Sequence, residues 1–243
     1  MSETPKYTCI IPARYESSRF PGKPLAKIFD KAMIDWVYKH ASESKYTGKV
    51  IIATDSEEIF NYCKENGMEV AMTGEHRNGA ERIAEVAKDL DDEYVFEMQG
   101  DQPALTPDRV DDFLMRAHEL VSKNSEIDVV HPFTPATEDQ VKSPDVVKVF
   151  ASDSGRLLFQ SRQPIPTGLR TLGLYLWKNK SVQKFWSLDK APIEIIEDTH
   201  PVRLYYYDFY VQGLEIDGND WIEVDRPHQI EEVEKLMKDK GII

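Results

Sequence analysis

Short apolar runs with strand-type residues alternate, along the first 133 positions, with longer segments that repeat apolar residues every three or four places. The runs are YTCII (7–11), KVIIAT (49–54), EVAMT (69–73), YVFEMQ (94–99) and IDVVHPF (127–133). Between them lie MIDWVYKHAS, SEEIFNYCKENG, AERIAEVAKDL and TPDRVDDFLMRAHELVSKN. Strands and amphipathic helices in strict alternation bury both kinds of apolar surface as a mostly parallel sheet with helices on both faces. Helix boundaries agree. Ser56 stands before Glu57 and Glu58 as an N-cap, Gly67 follows the same helix, and Thr106-Pro107-Asp108 opens the next long one.

The second half is less regular. Residues 146–152, 156–161, 172–178 and 202–211 are rich in β-branched and aromatic side chains and read as strands. YYYDFYV (205–211) alternates as an antiparallel strand does. Helical patterns occupy SVQKFWSL, APIEIIED and HQIEEVEKLMKDKG. No Ser/Gly linker divides the 243 residues, so the expectation is a single domain. It would have a nucleotide-binding core over 1–133, an excursion of mixed strands and helices over 134–215, and a return to the core with a C-terminal helix over 216–243.

Acidic residues outnumber basic ones 43 to 30, which leaves a net charge of -13. A broad basic face for nucleic acid or a membrane surface is therefore not expected, and any bound anion must be held by a local cluster. Cys9 and Cys63 show neither pairing nor metal spacing, MSETPKYT lacks the apolar stretch of a secretion signal, and no run reaches the length of a membrane span. A cytoplasmic protein is the expectation.

One such cluster exists. IIPARYESSRFPGKPL (10–25) places Arg14, Arg19 and Lys23 in a small-residue loop just after the first strand. Ligands of open α/β sheets collect at that end of the strands, where backbone N–H groups and cations meet a phosphate. Neither GxGxxG nor GxxxxGK[ST] is present, so dinucleotide binding and P-loop hydrolysis lack their fingerprints. A solvated group of charges explains the loop equally well at this point.

The same stretch closely resembles the N-terminal signature of the CMP-Kdo synthetase (3-deoxy-D-manno-octulosonate cytidylyltransferase) family, more than that of sialic acid activators. ATD (53–55), HRNGAER (76–82), MQGDQP (98–103), VVKV (146–149), FQSRQPIP (159–166), LGLY (172–175) and VDRP (224–227) match in order. The resemblance implies a Rossmann-like, nucleotide-diphospho-sugar transferase type of fold. It implies a homodimer of lipopolysaccharide or capsule biosynthesis that joins CMP from CTP to the anomeric hydroxyl of a Kdo-like sugar acid and releases pyrophosphate. Arg14, Arg19, Lys23 and Asp101 would then be catalytic, and Pro12, Ala13, Asn78, Gly79 and Gln99, with Arg14 and Lys23, would contact the nucleotide. Asp101 and Asp225 would hold Mg²⁺, and Lys148, Arg162, Tyr175 and His200 the sugar acid. Two carboxylates plus substrate oxygens suit Mg²⁺ well.

The chain also departs from the family. GDQP replaces GDEP, so Gln102 stands for a carboxylate. The TGEHRNGAER loop is one residue short and lacks an arginine after the MT pair, a loss Arg77 could cover from a nearby position, and His76 reads as a nucleotide contact or, in preference, as a polar cap on the following helix. On the sugar side, a long loop before LGLY is missing, Thr171 replaces a histidine, and His200-Pro201 replace a Glu-Gln pair that binds hydroxyls in the family. An acceptor related to Kdo but amino-substituted or shortened is the resulting expectation. A nucleotidyltransferase for a smaller acid or phosphonate, and a non-catalytic nucleotide-binding protein, are the alternatives. His40, His118, His131 and His228 show no ligand spacing and read as structural or exposed.

Overall fold

The computed structural model describes residues 4–17, 19–218 and 221–243. The first half contains β1 (Tyr7–Pro12), a small hairpin of β2 (Lys27–Ile28) and β3 (Lys31–Ala32), α1 (Met33–Glu43), β4 (Thr47–Thr54) and α2 (Glu57–Glu65). β5 (Val70–Met72), α3 (Gly79–Ala87), β6 (Tyr94–Met98) and α4 (Pro107–Lys123) complete it. Then follow β7 (Val129–Pro135), α5 (Glu138–Lys142), β8 (Lys148–Ala151), β9 (Leu157–Ser161), β10 (Leu169–Thr171) and β11 (Leu174–Lys178). The chain ends with α6 (Asn179–Ser187), α7 (Pro192–Glu197), α8 (Val202–Tyr206), β12 (Val211–Glu215) and α9 (Gln229–Asp239).

One ten-stranded sheet runs in the order β5-β4-β1-β6-β11-β7-β10-β8-β9, with β12 on β7. Pairings β5/β4, β4/β1, β1/β6 and β7/β12 are parallel. Tracing direction across the antiparallel steps leaves only β11, β10 and β9 reversed, so seven of the ten strands run one way. Successive residues of β1 go to opposite sides: Cys9 and Ile11 join the core under α1, α2 and α4, while Ile10 joins the one under α3 and α6. That alternation is why the run is apolar throughout. Thr106 stands at the N-cap position of α4 without a side-chain cap bond, and both caps expected of α2 are present. Ser56 Oγ accepts from the Ile59 amide at 3.3 Å, and Gly67 takes φ +71° just past α2.

The clearest correction concerns residues 202–211. They form helix α8 and a turn rather than a strand, and the strand that follows, β12, is parallel to β7. Pro201 fixes a helical φ of -64° at the helix start, and Arg203 is thereby carried into the core, where its guanidinium meets Glu194 and Glu81. Asp208 at φ +57° then turns the chain out. The short α5, the hairpin and β10 lie outside the expected pattern; α5 is set by a local capping box of Thr137 and Gln140, whereas β10 takes its pairing from β7 and β8.

The excursion closes on itself. Gly155 and Gly213 bring the start of β9 against β12, with the Gly213 amide donating to Gly155 O at 2.8 Å and a bridge between Arg156 and Gln212. A Cβ on Gly213 would stand 2.5 Å from Leu157 and 2.8 Å from Phe133. Strands β7, β10, β8, β9 and β12 thus form a small ring. Among the described residues no helix is long and apolar enough to cross a membrane.

Candidate active site

The loop after β1 is shaped before it is charged. The Ala13 amide continues the sheet onto Ala53 O at 2.8 Å, and Gly22, at φ +68°, returns its amide to Tyr15 O at 2.8 Å. The turn delivers Lys23 to a one-turn helix with Pro24. Lys23 Nζ donates to Asp101 Oδ2 at 2.7 Å and to Asp225 Oδ1 at 3.4 Å, and these two carboxylates hold its pKa above the usual lysine value despite burial. Arg19 donates to Asp225 at 3.2 Å and to Asp145 at 3.2 Å. Arg14 is exposed and makes no hydrogen bond or ion pair among the described residues.

Asp101 and Asp225 meet because the Val224 amide donates to Asp101 O at 2.9 Å, laying the 221–225 segment along the loop after β6. Gln229, in the first turn of α9, accepts from the Asp225 amide at 2.8 Å and fixes its orientation. An ammonium seated between two carboxylates marks where positive charge is favoured, so the donor set fits a divalent ion. Among the described residues no group of three or more His, Cys, Asp or Glu could hold a metal unaided. Mg²⁺ would therefore take Asp101 and Asp225 together with phosphate oxygens and water.

The nucleotide candidates are neighbours. A Cβ on Gly79 would lie 3.2 Å from Pro12 and 3.8 Å from Gln99 Nε2, and Ala13 is buried beside them. Asn78 is the N-cap of α3: its Oδ1 accepts from the Glu81 amide at 3.0 Å. His76 is not that cap; it pairs with Glu85 and meets the edge of Trp186 at 5.5 Å. Nor does Arg77 cover the missing arginine, since it reaches Glu81 at 2.6 Å and Leu188 O at 3.0 Å.

Sugar-side candidates divide into two groups. Tyr175 stacks on His131 with ring centres 4.1 Å apart and 5° between planes, and His200 lies 6.4 Å from Tyr175. The His131 Nδ1 faces Leu174 O at 3.0 Å, which makes Nδ1 the protonated nitrogen; Nε2 of both histidines is buried without a partner among the described residues. Burial pushes His131 down to about 4, and burial with the Arg203 charge pushes His200 down to about 3, so both are neutral. Lys148 stands apart. Fully buried, it gives its N–H groups to the carbonyls of Ser143 at 2.8 Å, Val146 at 2.8 Å and Arg162. The expected sugar-acid contact is thus replaced by a clamp on the loop. Arg162 in turn reaches Asp198 O at 3.2 Å, Pro144 O at 3.2 Å and Asp145 O at 3.1 Å. Asp145, through Arg19, joins this loop to the cation cluster.

Two acids were not singled out from the sequence. Glu97, wholly buried on β6, accepts from Trp177 Nε1 at 2.8 Å and from Gln99, and burial pushes it up to about 8. Glu223 accepts from Gln102 Nε2 at 3.1 Å and is pushed up by burial and then by the Asp101 and Asp225 charges. The signals were a lone charge inside YVFEM and the two-residue spacing of Glu223 and Asp225, which in extended chain puts both on one side.

A cation cluster set against two carboxylates beside a mostly parallel α/β sheet suits a nucleotidyltransferase, and the fold is of that class. Residues 8–238 match the family profile described as cytidylyltransferase, and the chain belongs to that family. A 3-deoxy-manno-octulosonate cytidylyltransferase of Alkalilimnicola ehrlichii is 35% identical, over 98% of this chain and 98% of its own. That of Halorhodospira halophila is 32% identical, over 97% and 98%. A solved CMP:2-keto-3-deoxy-manno-octonic acid synthetase complexed with CTP superposes with a TM-score of 0.87 at 28% identity, covering 97% of this chain and 99% of that one. A cytidylyltransferase from Leptospira borgpetersenii, 15% identical with a TM-score of 0.62, covers 98% and 96% and shows the shared fold.

Proposed function

We propose that this chain transfers CMP from CTP to the anomeric hydroxyl of Kdo or a close analogue, releasing pyrophosphate, as a Mg²⁺-dependent cytoplasmic homodimer of lipopolysaccharide or capsule biosynthesis. The observation that carries the reading is Lys23, poised between Asp101 and Asp225. Both substrates are anions, so their approach requires neutralisation first, and positioning with electrostatic stabilisation supplies most of a phosphoryl transfer. Arg14, Arg19 and Lys23 grip the triphosphate, the guanidiniums as forked donors and the lysine as a compact charge. Lys23 and Arg19, on exchanging carboxylates for phosphates, stabilise the departing pyrophosphate. Bound Mg²⁺ supplies a lowered pKa at the attacking hydroxyl and offsets charge on the α-phosphate.

Pro12, Ala13, Gly79 and Gln99 shape the nucleoside pocket, with Asn78 fixing the helix beneath it. Tyr175 and His200 face the acceptor, and Arg162 closes its carboxylate end. The names of the full-length relatives favour Kdo over a smaller acid or phosphonate, and retention of both metal carboxylates disfavours a purely binding role. For the dimer, the support is the exposed Ile195, Ile196 and Tyr206 on α7 and α8.

The test is pyrophosphate release with each of the four NTPs against a panel of ulosonic acids, with mass analysis of the product. CTP with Kdo is expected to give a CMP-sugar, and Lys23→Ala to lower turnover by at least about 100-fold. Preference for another nucleotide, or inertness of CTP with every acid, overturns the reading.

A further inference from the structure

Gln102 is a buried amide with a built-in seat. It is 1% exposed, and a Cβ on Gly173 would come 2.1 Å from its Nε2, so the glycine is what admits it. The seated amide donates to Glu223 at 3.1 Å. The backbone bond from Val224 to Asp101 O holds the same segment in place, and the carboxylate so fixed lies among Asp101, Asp225, Arg170 and Lys23. Arg170, 7% exposed, bonds Gly218 O at 2.7 Å, while its Nε has no partner among the described residues. Around the paired aspartates there is thus a third, oriented acid. It is matched to an amide: a second carboxylate at position 102 would face it at hydrogen-bond distance and repel it.

We propose that Glu223, held by Gln102, is a positioning residue of the transfer reaction that acts on the divalent ion through its water shell, while Asp101 and Asp225 ligate it. Three acidic groups do not close on one point here. Mg²⁺ retains several waters in such sites, and acids that orient those waters typically change metal affinity by roughly 10–100-fold when lost. The inference rests on the metal-dependent reading above.

The experiment is a Mn²⁺ titration followed by electron paramagnetic resonance on the full chain with CTP and no acceptor acid, in wild type, Glu223→Gln and the exchange Gln102→Glu/Glu223→Gln. The single variant is expected to weaken Mn²⁺ retention by roughly 10-fold or more at unchanged unfolding midpoint. The exchange, which restores one amide and one acid in the same pair, is expected to recover affinity to within roughly threefold of wild type. Wild-type retention in Glu223→Gln, or an exchange variant as weak as the single one, overturns the role of Glu223 alone. A wild-type chain that holds no Mn²⁺ with CTP overturns it together with the reading on which it rests.

Discussion

A lysine buried without a carboxylate has to spend its N–H groups on backbone, and Lys148 does so, clamping the 143–146 turn to Arg162. The sequence showed a cation in VVKV but not which way its charge would be consumed, because that depends on a turn folding back over it. His131 and His200 make the same point with protons. Both are neutral in the fold and titrate near 6.5 when unfolded, so between about pH 6.5 and 4 the unfolded chain binds more protons than the native one. Stability is full above that window and falls on acidification, by up to about 1.4 kcal/mol per pH unit for each histidine. His131→Asn keeps a donor for Leu174 O. Thermal unfolding between pH 7 and 4.5 is expected to show a shallower acid loss in this variant; parallel profiles would mean that His131 charges freely in the native state.

At the scale of elements, the first half was legible because its signals are local: apolar runs, caps and turn glycines decide where β1 to α4 begin and end. The misreading at 202–211 arose where an aromatic-rich stretch satisfies either periodicity and a proline upstream decides between them. Site residues followed the same division. Arg14, Arg19, Lys23, Asp101 and Asp225 sit in motifs readable along the chain, whereas Glu97 and His131 acquire their surroundings from strand register, and Glu223 from a segment 121 residues away. The junction of β10 and β11 shows how tightly this matters. Gly173→Ala would place a methyl 2.1 Å from Gln102 and 2.9 Å from Gln99. Overpacking of this kind costs about 1–3 kcal/mol, and here it displaces two glutamines of the site at once. Chemical denaturation should show that loss, and turnover with CTP should fall by about tenfold or more; a variant normal in both would show that the amides relocate freely.

For the whole molecule, the acidic surface leaves apolar side chains as the natural seam between copies. Ile195 is 71% and Ile196 77% exposed, side by side on α7, and burying such residues contributes about 1.5–3 kcal/mol each. Under the proposed assembly the wild type sediments as a dimer, and Ile195→Glu/Ile196→Glu is expected to sediment as a monomer at the same concentration, with an unchanged circular dichroism spectrum. A variant that remains dimeric would move the seam elsewhere.

The ring formed by β7, β10, β8, β9 and β12 has a further effect on how copies can meet. Sheet margins ordinarily invite a neighbour's strand, and globular proteins blunt them because such pairing propagates into aggregates. By folding its far end onto itself through Gly155 and Gly213, the chain leaves that margin stapled shut, and the opposite one is the three-residue β5. Any pairing of copies is therefore steered to side-chain faces, which can stop at two, rather than to backbone edges, which have no natural end.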